Sequence, residues 1–63
     1  MKFNELLRAG LGQKKITQTA LAKDVLISRI QLNRYVAGTA IPKLETALRL
    51  ARALGFSLDT VQL

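Results

Sequence analysis

Residues 17–38, TQTALAKDVLISRIQLNRYVAG, hold two helix starts eleven residues apart, and this spacing constrains the chain more than any other feature of it. Each start is a large apolar residue followed by a hydroxyl residue, Ile16-Thr17 and then Ile27-Ser28. At the second, Ser28 is placed to cap the free amides of a helix while Gln31, three residues on, reaches back in the reciprocal manner of a capping box. Ile27, just outside that helix, is spaced to pack on Leu32 within it, and Ile16 is spaced to pack on Leu21 in the same way. Only Asp24 to about Ile27 separate the two helices. So short a link does not let them run side by side, and the helices must cross.

The flanking segments read as support for this pair. Met1 to about Lys15 forms a first helix, with Phe3, Leu6, Leu7 and Leu11 at helical spacing. Gly10 and Gly12 each weaken it by about 1 kcal/mol relative to alanine. Either the last turn frays or the glycines let a neighbouring helix come close, and a marginal end is the simpler reading. The second helix, about Gln18 to Val25, buries Leu21, Ala22 and Val25. In the third, about Arg29 to Ala37, Leu32, Tyr35 and Val36 share one face while Arg29, Ile30, Asn33 and Arg34 project from the other. Gly38 supplies a left-handed stop.

Pro42 holds Ile41 away from helical angles, so residues 39–42 form a loop. A fourth helix follows from about Leu44 to Leu54, with Leu44, Ala47, Leu48, Ala51 and Leu54 as its apolar stripe and Gly55 as its end. Phe56 to Asp59 opens a short fifth helix, capped by Ser57, with Asp59 complementing its dipole and Phe56 stapled to Val61. No strand-like alternation of useful length occurs, so the class is all-α, a compact five-helix domain spanning residues 1–63.

Composition removes several functions. The chain has no cysteine and no histidine, which excludes a disulfide framework and removes the usual zinc ligands, so no metal and no cofactor is expected. Glu5, Asp24, Glu45 and Asp59 are scattered, with no histidine, no cysteine and no glycine-rich phosphate loop to give them a mechanism, so no catalytic residue and no small-molecule ligand is assigned. No apolar run approaches the roughly 20 residues of a membrane span. The lack of cysteine suits a cytoplasmic location. Ten Lys and Arg against four Asp and Glu give a net charge of +6, and the pI near 10.6 falls in the range of nucleic-acid-binding domains.

Thr17-Gln18, Leu21-Ala22, Ile27-Ser28, Leu32, Gly38, Pro42, Leu44-Glu45-Thr46, Leu50-Ala51, Ala53-Leu54 and Ser57-Leu58-Asp59 stand in one register over nearly the whole chain. In this pattern the chain resembles the Cro and phage-repressor type of helix-turn-helix proteins, with the helix-turn-helix at about residues 17–38. The resemblance implies a prokaryotic or phage-encoded regulator of transcription whose third helix enters the major groove of double-stranded DNA while the second crosses the backbone. It places Arg29, Ile30, Asn33 and Arg34 against base edges, the same residues that the helical face selects. Arginine pairs with guanine, asparagine with adenine, and isoleucine meets a thymine methyl. Gln18 matches the family glutamine that holds a phosphate at a helix N-terminus. Thr17, Ser28, Gln31, Thr39 and Lys43 are further phosphate candidates, although Lys43 reads equally well as a solvated lysine.

Three departures from the family pattern stand out. Leu26 occupies a turn position where glycine is common, which implies a turn that is strained or differently shaped, since left-handed angles cost a leucine about 1–2 kcal/mol. Leu11 and Val36 stand where many members pair an arginine with a glutamate. Lys43 replaces a serine cap before the fourth helix. The function expected is sequence-specific operator binding as a homodimer on a pseudo-palindromic site. A protein-interaction module of antitoxin-like or coactivator-like kind is the alternative, motivated by the apolar residues Phe56, Leu58, Val61 and Leu63.

Overall fold

In a computed structural model, which describes residues 2–58, every helix ends on a local signal that can be named, and the second and third begin on one as well. The helices are α1 (Phe3–Lys14), α2 (Gln18–Val25), α3 (Arg29–Ala37) and α4 (Leu44–Leu54). Thr17 caps α2, its side-chain oxygen accepting from the Ala20 amide at 3.1 Å, and Ser28 caps α3 by accepting from the Gln31 amide at 3.0 Å. Lys2 and Lys43, at the N-caps of α1 and α4, give no side-chain cap, as the missing serine before α4 implies.

All four helices stop in the same way. The next residue, Lys15, Leu26, Gly38 or Gly55, is left-handed. The amide after it then bonds back to a carbonyl five residues earlier: Ile16 to Leu11, Ile27 to Ala22, Thr39 to Arg34 and Phe56 to Ala51, at 3.0–3.2 Å. This is the Schellman arrangement, which satisfies carbonyls the helix leaves unpaired. Two of these ends lead directly into the next helix. Lys15-Ile16-Thr17 and Leu26-Ile27-Ser28 are one three-residue connector used twice: a left-handed residue, an isoleucine packed on the core, and a hydroxyl cap.

The turn at Leu26 therefore keeps the left-handed conformation, with φ 62° and ψ 43°, and is strained rather than reshaped. Lys15 shares this state at φ 54°. The Leu26 side chain is 84% exposed, so little burial offsets the cost of its backbone.

Packing centres on one leucine from each helix. Leu7, Leu21, Leu32 and Leu50 are fully buried, each contributing about 1.5–3 kcal/mol. α1 and α2 each pack on both α3 and α4. Phe3 meets Phe56 edge to face with ring centroids 6.2 Å apart. α2 and α3 have eight and nine residues, too short to persist alone, so their helicity depends on this core.

Several expectations change. α1 starts at Phe3 rather than Met1, and its last turn is closed by a left-handed cap instead of fraying. Gly10 is the place where α4 comes close: a Cβ there would lie 2.9 Å from Leu54 Cδ1 and 3.2 Å from Leu54 Cβ, whereas a Cβ on Gly12 would meet nothing within 4 Å. The buried face of α4 is Ala47, Leu50, Ala51 and Leu54, while Leu44 and Leu48 are exposed. The register is set by where α1 and α2 press on the helix, one step around from the stripe expected. Four helices, not five, occur among the described residues. The fifth helix, with Asp59 and the Phe56–Val61 staple, falls on residues 59–63, outside those described. Phe56 and Leu58 pack against the core, which accounts for their bulk without a partner protein.

Three variants test this account by chemical or thermal unfolding. Gly12→Ala is expected to raise stability by about 1 kcal/mol, and Gly10→Ala to lower it by about 1–2 kcal/mol through overpacking on Leu54. Equal effects at both positions would contradict the close approach of α1 and α4. Leu26→Gly relieves about 1–2 kcal/mol of backbone strain and costs about 0.5–1 kcal/mol through the larger conformational freedom glycine has in the unfolded chain. A net gain of up to about 1 kcal/mol is expected, and a loss would contradict the strain assigned to the turn.

Candidate nucleic-acid interface

The sequence of α3 divides into an anchoring face and a free one. Leu32, Tyr35 and Val36 are buried, and Arg29, Ile30, Asn33 and Arg34 are exposed. Ile30 is 67% exposed, an apolar side chain presented to water on the same face as two arginines. The anchoring side is tied down twice. Arg8 on α1 donates from Nε to the Val36 carbonyl at 3.2 Å, so α1 holds the last turn of α3. The Gln31 side chain donates from Nε2 to the Tyr35 hydroxyl at 2.8 Å.

The Gln31 bond corrects the capping box. Ser28 caps as expected, but Gln31 turns along the helix to Tyr35, four residues on, instead of back to Ser28. Residues at this separation are neighbours on a helix surface, and tyrosine offers an acceptor that is itself anchored in the core. Leu11, standing where many members carry the arginine of an ion pair, packs against the core, and Arg8 supplies a side-chain tie between α1 and α3. It was missed because its partner is a backbone carbonyl, which leaves no side-chain mark in the sequence. The i to i+4 spacing of Gln31 and Tyr35 was a signal that could have been read.

The residues expected at phosphates are spread over three helix starts and one loop. Thr17 and Gln18 stand at the start of α2, and Ser28 and Gln31 at the start of α3. Thr39 follows Gly38, and its hydroxyl donates to the Arg34 carbonyl at 3.3 Å, while Lys43 precedes α4. Neither α2 nor α3 has an acidic residue in its first turn, so the partial positive charge of those N-termini is left for an outside anion. α4 differs, with Glu45 in its first turn. Arg49 pairs with Glu45 at 2.9 Å on the surface.

The arrangement is therefore a helix with two exposed arginines, held by its rear face on α1 and α2 and joined to α2 by a three-residue turn. A family model described as helix-turn-helix matches residues 7–61. The chain belongs to the helix-turn-helix family of Cro and phage-repressor type. The family is one of DNA-binding regulators, and this helix-turn-helix domain is a DNA-binding one. No curated protein and no solved structure gives a significant match. Among the described residues no helix is long and apolar enough to cross a membrane, and no group of acidic side chains is arranged to hold a metal ion.

Because α3 has nine residues and Ser28 is the side chain that caps it, Ser28→Ala is expected to cost about 1 kcal/mol of stability. Thermal melts of Ser28→Ala and Ser28→Asp compare the two directly. Asp, also a good cap, is expected to retain the stability that Ala loses, and equal losses in both would exclude the cap as the cause.

Proposed function

We propose that the protein is a sequence-specific transcriptional regulator that binds a pseudo-palindromic operator as a homodimer, with α3 in the major groove of each half-site. One observation carries the reading: α3 presents Arg29, Ile30, Asn33 and Arg34 to solvent while its opposite face is buried. Their chemistry matches base edges. Either arginine can form a bidentate pair with guanine, Asn33 can pair with adenine, and Ile30 can rest on a thymine methyl.

Around this reading face, Thr17 and Gln18 at the N-terminus of α2 and Ser28 at that of α3 offer donors for phosphate oxygens, with Lys43 beyond the end of α3. Thr39, whose hydroxyl donates to the Arg34 carbonyl, meets a phosphate only by giving up that bond. Gln31 takes a smaller part than its position first implies. One of its amide hydrogens is committed to Tyr35, so it meets the DNA in a fixed orientation. The net charge of +6 adds a sequence-independent attraction that salt weakens.

Selection of preferred sites from a random DNA pool, followed by titration at several salt concentrations, tests the proposal. Two half-sites about 34–36 Å apart centre to centre are expected. Arg34→Ala is expected to weaken operator binding by about 1–3 kcal/mol and to relax preference at one base position. Lys43→Ala is expected to weaken all sequences alike and to lower the salt slope by about one. Absence of binding at low salt, or unchanged affinity and preference in Arg34→Ala, would overturn the reading.

A further inference from the structure

The described residues leave one apolar face unused by either the core or the reading helix. Leu44 and Leu48 are 62% and 40% exposed, and their four-residue spacing puts them on one side of α4. Ile41, 73% exposed, precedes them in the link from α3. None of the three is required by the buried face of α4, which is Ala47, Leu50, Ala51 and Leu54.

The charges beside this stripe restrict what can cover it. At about 100° per residue, Arg52 lies roughly 40° and Glu45 roughly 60° around the helix from Leu48. The acidic residue stands in the first turn of α4 and the basic one in the last. A second α4 laid antiparallel on the stripe sets Glu45 of each copy opposite Arg52 of the other, with Leu48 beside the two-fold axis. A parallel arrangement opposes like charges at both ends. The charge gradient also suits the helix's own dipole, but the dipole does not require exposed leucines next to it. Arg52 has no ion-pair partner among the described residues, and Glu45 is held only by the solvent-exposed Arg49.

We propose that Ile41, Leu44 and Leu48 form an isologous interface with a second copy of this chain, closed by reciprocal Glu45–Arg52 pairs between antiparallel α4 helices. The inference deepens the two-fold reading of the operator and rests on it, by naming the face through which the copies meet. Three partly exposed apolar side chains from each copy and two ion pairs make a small interface, of the weak and transient class. The free protein therefore passes from monomer to dimer as its concentration rises, and two adjacent half-sites bind cooperatively.

Sedimentation of the free chain between about 10 µM and 1 mM is the direct test. A concentration-dependent dimer is expected. Leu48→Glu, which sets two carboxylates beside the axis, is expected to raise the dimer dissociation constant at least about tenfold while circular dichroism stays helical. Glu45→Arg and Arg52→Glu each oppose like charges and are expected to dimerise poorly alone. Mixed together they are expected to form a heterodimer, and the double swap in one chain to restore the homodimer.

A chain that stays monomeric to about 1 mM, or a dimer unaffected by Leu48→Glu, overturns the proposal. So does a Glu45→Arg and Arg52→Glu mixture with no preference for the heterodimer. DNA binding is measured separately on an operator half-site. A strict monomer that still binds a half-site overturns this interface and leaves the DNA reading standing. A dimer through the stripe that binds no DNA supports the interface and overturns the operator reading.

Discussion

The left-handed residue that follows each helix is the constraint on which the other contacts depend. It turns the chain so sharply that the next residue falls back over the helix just ended, where its amide finds a carbonyl and, in three cases of four, an apolar side chain meets the core. Ile16 and Ile27 then do two things at once. Each closes the end of one helix and packs at the start of the next. The directions of α2 and α3 are set by these two isoleucines, and the exposed face of α3 follows from them. Leu21 and Leu32 reach the common core with Leu7 and Leu50 because the helices that carry them leave the connectors at these angles.

How far a sequence reveals such a structure depends on whether the partner of a residue is local. Both hydroxyl caps, the boundaries of α2, α3 and α4, and the inward and outward faces of α3 are set within a few residues of chain, and all were legible in advance. The register of α4 was not. Leu44, Leu48 and Leu50 are all leucines, and nothing near them in the sequence says which side α1 and α2 will cover. Gly10 was read as a weakness for the same reason, since Leu54, the residue that needs its missing side chain, is far along the chain. Family membership shows that the domain binds DNA, while the four projecting residues of α3 stand on helical geometry and on the resemblance together.

Two of the four left-handed positions are filled by residues other than glycine, Lys15 and Leu26. Both lie in the connectors that flank α2, so the strain is concentrated on the shortest helix and on the entrance to α3. A domain of this size has a small net stability to begin with. Whatever binds the N-termini of α2 and α3 adds its free energy to the folded state alone. Occupancy of the site and order in the helix pair are in this way linked quantities.

The bond from Arg8 to the Val36 carbonyl has an evolutionary consequence. A tie between two charged side chains obliges both positions to change together. A tie to a backbone carbonyl makes no demand on the charge of the side chain at that position, and any residue that keeps α3 helical supplies the same acceptor. The helix that faces outward can therefore be rewritten, residue by residue, without a matching change in the helix behind it. A scaffold built in this way can acquire a new recognition surface while keeping its fold.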